Sequence, residues 1–243
     1  MSRWMLILWL LMMPLAALAD ASRSMPPDLG DQASLQRGLK LYVNYCLGCH
    51  TLEYQRFSRT AADLDIPQAL MEEQLMFSPV QAFDDPMTNA LTGEAAQQWW
   101  GVEPPDLTLA AKRHGAEWIS AYLLGFYQDT DRPLGVNNTV VESVAMPNVL
   151  EPLQGVQKLG CPPGASRVLS RPENCRELVL AQPGTLSPDE FEQVVGDISN
   201  FLAYVSEPSR LKARAIAPGV MVFLFVFGVM AYLLKREYWR DVR

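Results

Sequence analysis

The run AIAPGVMVFLFVFGVMAYLL, residues 215 to 234, carries no charge over 20 positions, and nothing else in the chain restricts the fold as strongly. About 20 apolar residues in an α-helix reach across the hydrocarbon core of a bilayer, and only helices and closed barrels satisfy their backbone there. A helix buried inside a soluble domain is the other way to hide such a run. Basic residues flank it, Lys212 and Arg214 before, Lys235, Arg236, Arg240 and Arg243 after. A second apolar stretch, Trp4 to Leu15, follows Arg3 and leads to Ala17, Ala19 and Asp20. That layout is expected of a secretory signal peptide over residues 1–19 with an A-x-A cleavage site. An uncleaved anchor is the alternative, although the stretch is shorter than the roughly 20 residues of a span. The plan is therefore signal peptide 1–19, external domain 20–206, and 207–243 as a transmembrane anchor with a short basic cytoplasmic tail, the orientation that the positive-inside rule favours.

Charge divides along the same lines. Residues 20 to 206 hold 24 Asp and Glu against 12 Lys and Arg, whereas residues 207 to 243 hold 7 basic and 3 acidic residues. An acidic external domain repels nucleic acid, so no nucleic-acid partner is expected, and it attracts a basic protein partner at low salt. General solubility is the plainer reading of part of that excess.

Helical signals dominate the external domain. Ser34 is a candidate cap for a helix through LQRGLKLYVNYC, with Leu35, Leu39, Val43 and Cys46 on one face. Residues 116 to 127, AEWISAYLLGFY, space Ile119, Tyr122, Leu123 and Phe126 helically. In SPDEFEQVVGDISNFLAYVSEP, Ser187, Pro188 and Glu190 form a capping-box pattern ahead of one apolar stripe from Phe191 to Val205. Between these lie Pro-rich and Gly-rich connections, among them Asn137-Asn138-Thr139, which fits a glycosylation sequon and is taken as a turn. No strand–helix alternation suggests a parallel sheet. The expected fold is mostly α with long ordered loops, and such loops in a small domain need something to wrap around.

Residues 46 to 50, Cys-Leu-Gly-Cys-His, supply a candidate. Two thiols three residues apart on a helical turn can each form a thioether to one porphyrin vinyl group, with His50 directed at the iron from the same side and Gly48 leaving room for the ring; C-x-x-C-H is the c-type haem attachment pattern. A redox pair lacks the βαβ context, and a structural zinc site lacks its other ligands. A disulfide between Cys46 and Cys49 leaves the histidine without a role. For the sixth iron position the chain offers His114, its only other histidine, or a methionine, of which Met146 in the Pro-bounded VESVAMPNVLEP segment is best placed. Met71, Met76 and Met87 fit as gap-filling core residues. A Met/His pair favours electron transfer over chemistry at an open iron. Cys161 and Cys175 enclose a short loop and are expected to form a disulfide in an oxidising compartment, contributing roughly 3 kcal/mol; free thiols are the alternative. Neither heads a second C-x-x-C-H, so one covalently bound haem c is expected.

Four blocks together extend the argument: GLKLYVNYCLGCHTLEYQRF, EPPDLTLAAKRHGAEWISAYLLGFY, VAMPNVL, and ISNFLAYVSEPSRLKARAIAPGV before the anchor. In this order they resemble the cytochrome c1 family, the membrane-anchored haem subunits of the quinol:cytochrome c oxidoreductase, or bc1, complex. The resemblance implies a cytochrome c-like haem domain in which Cys46 and Cys49 bind the haem, His50 and Met146 ligate its iron, Arg113 pairs with a propionate, and Pro104, Pro105 and Asp106 shape the pocket wall, with His114 structural. Ala116 stands where the family usually has a second glycine. The implied partners are cytochrome b, the Rieske iron-sulfur protein and a soluble or tethered cytochrome c, in a dimeric complex of a bacterial inner membrane with the haem domain in the periplasm. The implied activity is one-electron relay; the chain belongs to an enzyme as a subunit and no residue of it acts on the quinol. A free-standing, tail-anchored cytochrome c shuttle is the alternative.

Overall fold

The computed structural model describes residues 26–160 and 177–242. The signal-peptide expectation for residues 1–19 and the pair Cys161 and Cys175 fall outside the described residues. Helices carry the architecture: α1 (Gln32–Tyr45), α2 (Phe57–Asp63), α3 (Gln68–Gln74), α4 (Gly93–Trp100), α5 (Ala110–His114), α6 (Ala116–Leu124), α7 (Glu151–Gln154), α8 (Pro188–Ser206) and α9 (Ser209–Tyr238).

The core forms where α1 crosses α8, with α5 and α6 laid against α8 from another side. Leu35, Leu39, Tyr42 and Val43 face Phe191, Val195, Ile198, Phe201 and Val205, all buried. The crossing needs Gly38, because a Cβ there would lie 2.1 Å from the Asp197 carbonyl oxygen and 2.6 Å from Phe201 Cβ. Polar pairs lock α8 to both α1 and α6. Arg37 grips Asp197 with two hydrogen bonds, 2.6 and 2.9 Å; Asn200 donates to Ser34 Oγ at 3.1 Å; Ser120 donates to Ser199 Oγ at 2.8 Å. Met71 and Met87 are fully buried and Met76 packs against the core, as expected of gap-fillers.

Three differences from the expectations have local causes. The cap of α1 is Asp31, whose side chain accepts from the Ser34 amide at 3.0 Å, and Ser34 lies inside the helix. Helix α6 stops at Leu124, so Phe126 starts a strand instead of a further turn. Short antiparallel ribbons, unread in the sequence, brace the loops: β1 (Leu52–Arg56) with β2 (Pro86–Met87), β3 (Phe126–Gln128) with β4 (Val136–Asn138), and β5 (Gly155–Gly160) with β6 (Glu177–Pro183). Asn137 and Asn138 are buried in β4, and Asn138 Nδ2 donates to the Tyr122 carbonyl at 2.8 Å, so the sequon is no exposed turn.

Helix α8 begins with the expected capping box: Ser187 Oγ accepts from the Glu190 amide, and Glu190 accepts from the Ser187 amide at 2.9 Å. After Glu207 and Pro208 the chain enters α9, whose segment Ala215–Tyr238 reaches a mean hydropathy of 2.3 and is left uncovered by the described residues. The fold is thus a helix-rich domain followed by one helix long and apolar enough to cross a membrane.

Candidate functional site

Helix α1 ends where the Cys-Leu-Gly-Cys-His turn begins. The amides of Cys46 and Leu47 both reach the Tyr42 carbonyl, at 2.8 and 2.9 Å, and those of Cys49 and His50 reach the Cys46 carbonyl, at 3.0 and 2.8 Å. Both sulfurs and the imidazole therefore leave a single turn. Asn89 holds it from outside, donating to the Leu47 carbonyl at 2.8 Å. From below, the buried Tyr42 hydroxyl donates to the His50 carbonyl at 2.6 Å; burial raises that phenol well above its ordinary range, so it stays a donor.

Cys46 is buried, Cys49 half-buried, and both are free thiols. Burial, helped by the neighbouring Cys49, pushes the Cys46 thiol up to about 12, and burial also raises Cys49. Both are neutral S–H groups near pH 7. A redox C-x-x-C pair needs a lowered pKa and a reactive thiolate, so that reading loses ground here.

The imidazole is oriented by a neighbouring loop. His50 Nδ1 lies 2.8 Å from the Pro105 carbonyl oxygen. A carbonyl only accepts, which assigns the ring proton to Nδ1 and leaves the Nε2 lone pair for a metal. Burial lowers the imidazole's pKa, against weaker upward pulls from Pro105 and Asp106, and the neutral ring is the ligating form.

Pro105 is held in turn by Asp106. That carboxylate accepts from the Thr51 hydroxyl and the Glu53 amide, both at 2.8 Å, and from the Thr108 amide at 2.9 Å. Burial works against its charge, but these hydrogen bonds outweigh burial and hold its pKa below the usual value. The Leu107 amide adds a contact to the Thr51 carbonyl at 2.9 Å. Residues 104–108 are thus stapled along residues 50–54, so the histidine and its acceptor move as one piece.

The other expected residues lie on α5, on α6 and in the downstream loop. Arg113 is exposed on the last turn of α5 and has no ion-pair partner among the described residues, which leaves its guanidinium free to grip a carboxylate. His114 stacks on Trp118 at 4.4 Å between ring centroids, and Trp118 on Tyr122 at 5.3 Å. Met146 is half-buried, its sulfur 3.5 Å from the Tyr122 hydroxyl. Contacts within the protein join His50 to Pro105 and Met146 to Tyr122; among the described residues none joins these two groups or ties either to Arg113.

The donors fit a c-type haem. Two neutral sulfurs and an imidazole with Nε2 free share one turn, and the space where a Cβ at Gly48 would project is open to 4 Å. A cavity of about 250 Å³ opens beside Cys49 between Thr51, Glu53, Asn89, Glu103 and Pro104. Neither His50 nor Met146 lines it, so it is a polar cleft at the margin of the site. Among the described residues no group of three or more His, Cys, Asp or Glu side chains could hold a metal ion unaided, against the zinc reading. Sequence reasoning missed Tyr42, Asn89, Thr51 and Tyr122, which act on the site through hydrogen bonds; of these, only Tyr122 left a trace, four residues after Trp118.

Comparison with known proteins supplies the family. The chain is 42% identical to "Cytochrome c1" of Allochromatium vinosum over the full length of both. It is 40% identical to "Ammonia monooxygenase gamma subunit" of Nitrosomonas europaea, over 89% of this chain and 87% of that one. It is 26% identical to "Cytochrome b/c1" of Bradyrhizobium diazoefficiens, where 87% of this chain matches 34% of the longer protein. Residues 22–242 match the profile of the Cytochrome C1 family, and the chain belongs to that family.

Proposed function

We propose that this chain relays single electrons within a quinol:cytochrome c oxidoreductase, from a Rieske iron-sulfur protein to a cytochrome c. Cytochrome c1 is the electron-transfer subunit of the bc1 complex, beside cytochrome b and the Rieske protein. Cys46 and Cys49 anchor one haem by thioether bonds, His50 Nε2 and Met146 Sδ hold its iron, and Arg113 pairs with a propionate. When bound, the haem supplies a one-electron ferric/ferrous couple. The residues around it orient and insulate: Pro105 fixes the ring of His50, Asp106 fixes Pro105, and Met146 as a ligand would keep water and substrates off the metal. The observation that carries this reading is the 2.8 Å contact between His50 Nδ1 and the Pro105 carbonyl, on the same turn as two neutral thiols.

The remaining assignments follow from sequence, charge and what membership of the family implies. Residues 1–19 export the chain, residues 20–206 form the haem domain in the periplasm of a bacterium, and residues 207–243 anchor it in the inner membrane with a cytoplasmic tail. The acidic domain steers a basic cytochrome c, and the complex is a dimer. Cys161 and Cys175 pair as a disulfide.

Quinol-driven reduction tests the relay. The protein is purified gently in detergent through a carboxy-terminal tag and followed at the c-type absorbance band. Reduction that a quinol-oxidation-site inhibitor blocks is the expected result. An intact haem that quinol cannot reduce, with no partner subunits present, would instead identify a free-standing shuttle.

A further inference from the structure

The Tyr122 hydroxyl has an unusual acceptor. Among the described residues its hydrogen-bond partner is the thioether sulfur of Met146, at 3.5 Å, although thioethers are weak acceptors and half-buried phenols ordinarily find an oxygen. The ring cannot swing to a better one. Trp118 stacks on it at 5.3 Å and 12°, and Phe126 meets it edge-on at 5.3 Å and 76°. Its own carbonyl is tied to Asn138 Nδ2 at 2.8 Å, at the start of the loop that leads to Met146. Ring, strand and loop together aim the O–H at the sulfur.

We infer that Tyr122 is a positioning residue for Met146, whose hydroxyl holds the thioether sulfur and raises the reduction potential of the bound haem. The inference rests on the reading of Met146 as an iron ligand. A thioether sulfur has two lone pairs, so one can face a metal while the other accepts the O–H. A hydrogen bond to the second withdraws electron density and weakens donation to the ferric ion more than to the ferrous one, the means by which groups behind a ligand tune a metal.

The test is a redox titration of the full-length, detergent-solubilised protein carrying Tyr122→Phe, which keeps the ring and removes the hydroxyl. The expected result is a low-spin haem that retains its near-infrared methionine band, with the reduction equilibrium about fivefold less favourable, or roughly 40 mV lower at 59 mV per tenfold. Leu123→Ala loosens the same helix without touching the ring stack or the hydroxyl and should leave the potential in place; an equal fall there would mark general loosening and overturn the inference. Met146→Leu separates the two readings. If it yields a high-spin, carbon monoxide-binding haem while Tyr122→Phe leaves the potential unchanged, Met146 is the ligand and the role of Tyr122 is refuted. If Met146→Leu stays low-spin, the ligand reading falls and takes the inference with it.

Discussion

Helices α8 and α9 are separated by two residues and live in opposite surroundings. From Asp197 onward every residue of α8 is buried, Asp197, Ser199, Asn200 and Ser206 included, and each of these four finds a partner in another element. Among the described residues the buried Asn200 Oδ1 has no partner. The uncharged span of α9 is more apolar, yet Phe223, Phe225 and Phe227 are more than half exposed and none of the described residues covers them. Apolarity alone therefore does not locate a helix: α8 buries an apolar stripe together with polar groups that are matched, whereas the apolar span of α9, left uncovered, is suited to hydrocarbon.

Four substitutions sharpen or break that contrast. The largest effect is expected from Phe225→Asp: a charge near the centre of α9 raises the cost of insertion by about 3 kcal/mol, and the protein shifts from the membrane to the soluble fraction on sedimentation, whereas Gln193→Asp on the exposed side of α8 leaves fractionation unchanged. Next is Gly38→Ala, which drives a Cβ to 2.1 Å from the Asp197 carbonyl; denaturant titration should show a loss at the upper end of about 1–3 kcal/mol with membrane attachment intact. Arg37→Ala leaves the buried Asp197 carboxylate without its two hydrogen bonds, a loss of about 2 kcal/mol in the same assay. The smallest is Ser187→Ala, which opens the capping box for about 1 kcal/mol, read as a lowered midpoint of unfolding.

What was legible in the sequence was local. Cys46, Cys49 and His50 stand within five residues, Ser187 and Glu190 cap their own helix, and the span of α9 is continuous, so neighbours along the chain define each feature. What was illegible depends on distant partners or on close competition. Asp31 and Ser34 are both good caps three residues apart, and only the folded backbone decides between them. Val136, Asn137 and Asn138 have no strand-like alternation; β4 forms because they pair with Phe126–Gln128 of β3, and the Asn138 side chain ties the ribbon to Tyr122, 16 residues away. The Pro105 acceptor lies 55 residues from His50, and Tyr122 lies 24 from Met146. Met146 stood out by its Pro-bounded segment and the family resemblance drew attention to Pro105 and Asp106, but neither pointed to Thr51, which Asp106 grips, or to Tyr122.

If the turn from Cys46 to His50 carries a covalently bound haem, acid–acetone extraction of the purified chain leaves the haem with the polypeptide. A proteolytic fragment containing Cys46 and Cys49 then has the added mass of one haem, and Cys46→Ala with Cys49→Ala releases it. Haem that extracts freely from the unaltered chain, or remains covalently attached after both cysteines are replaced, would contradict attachment at this turn.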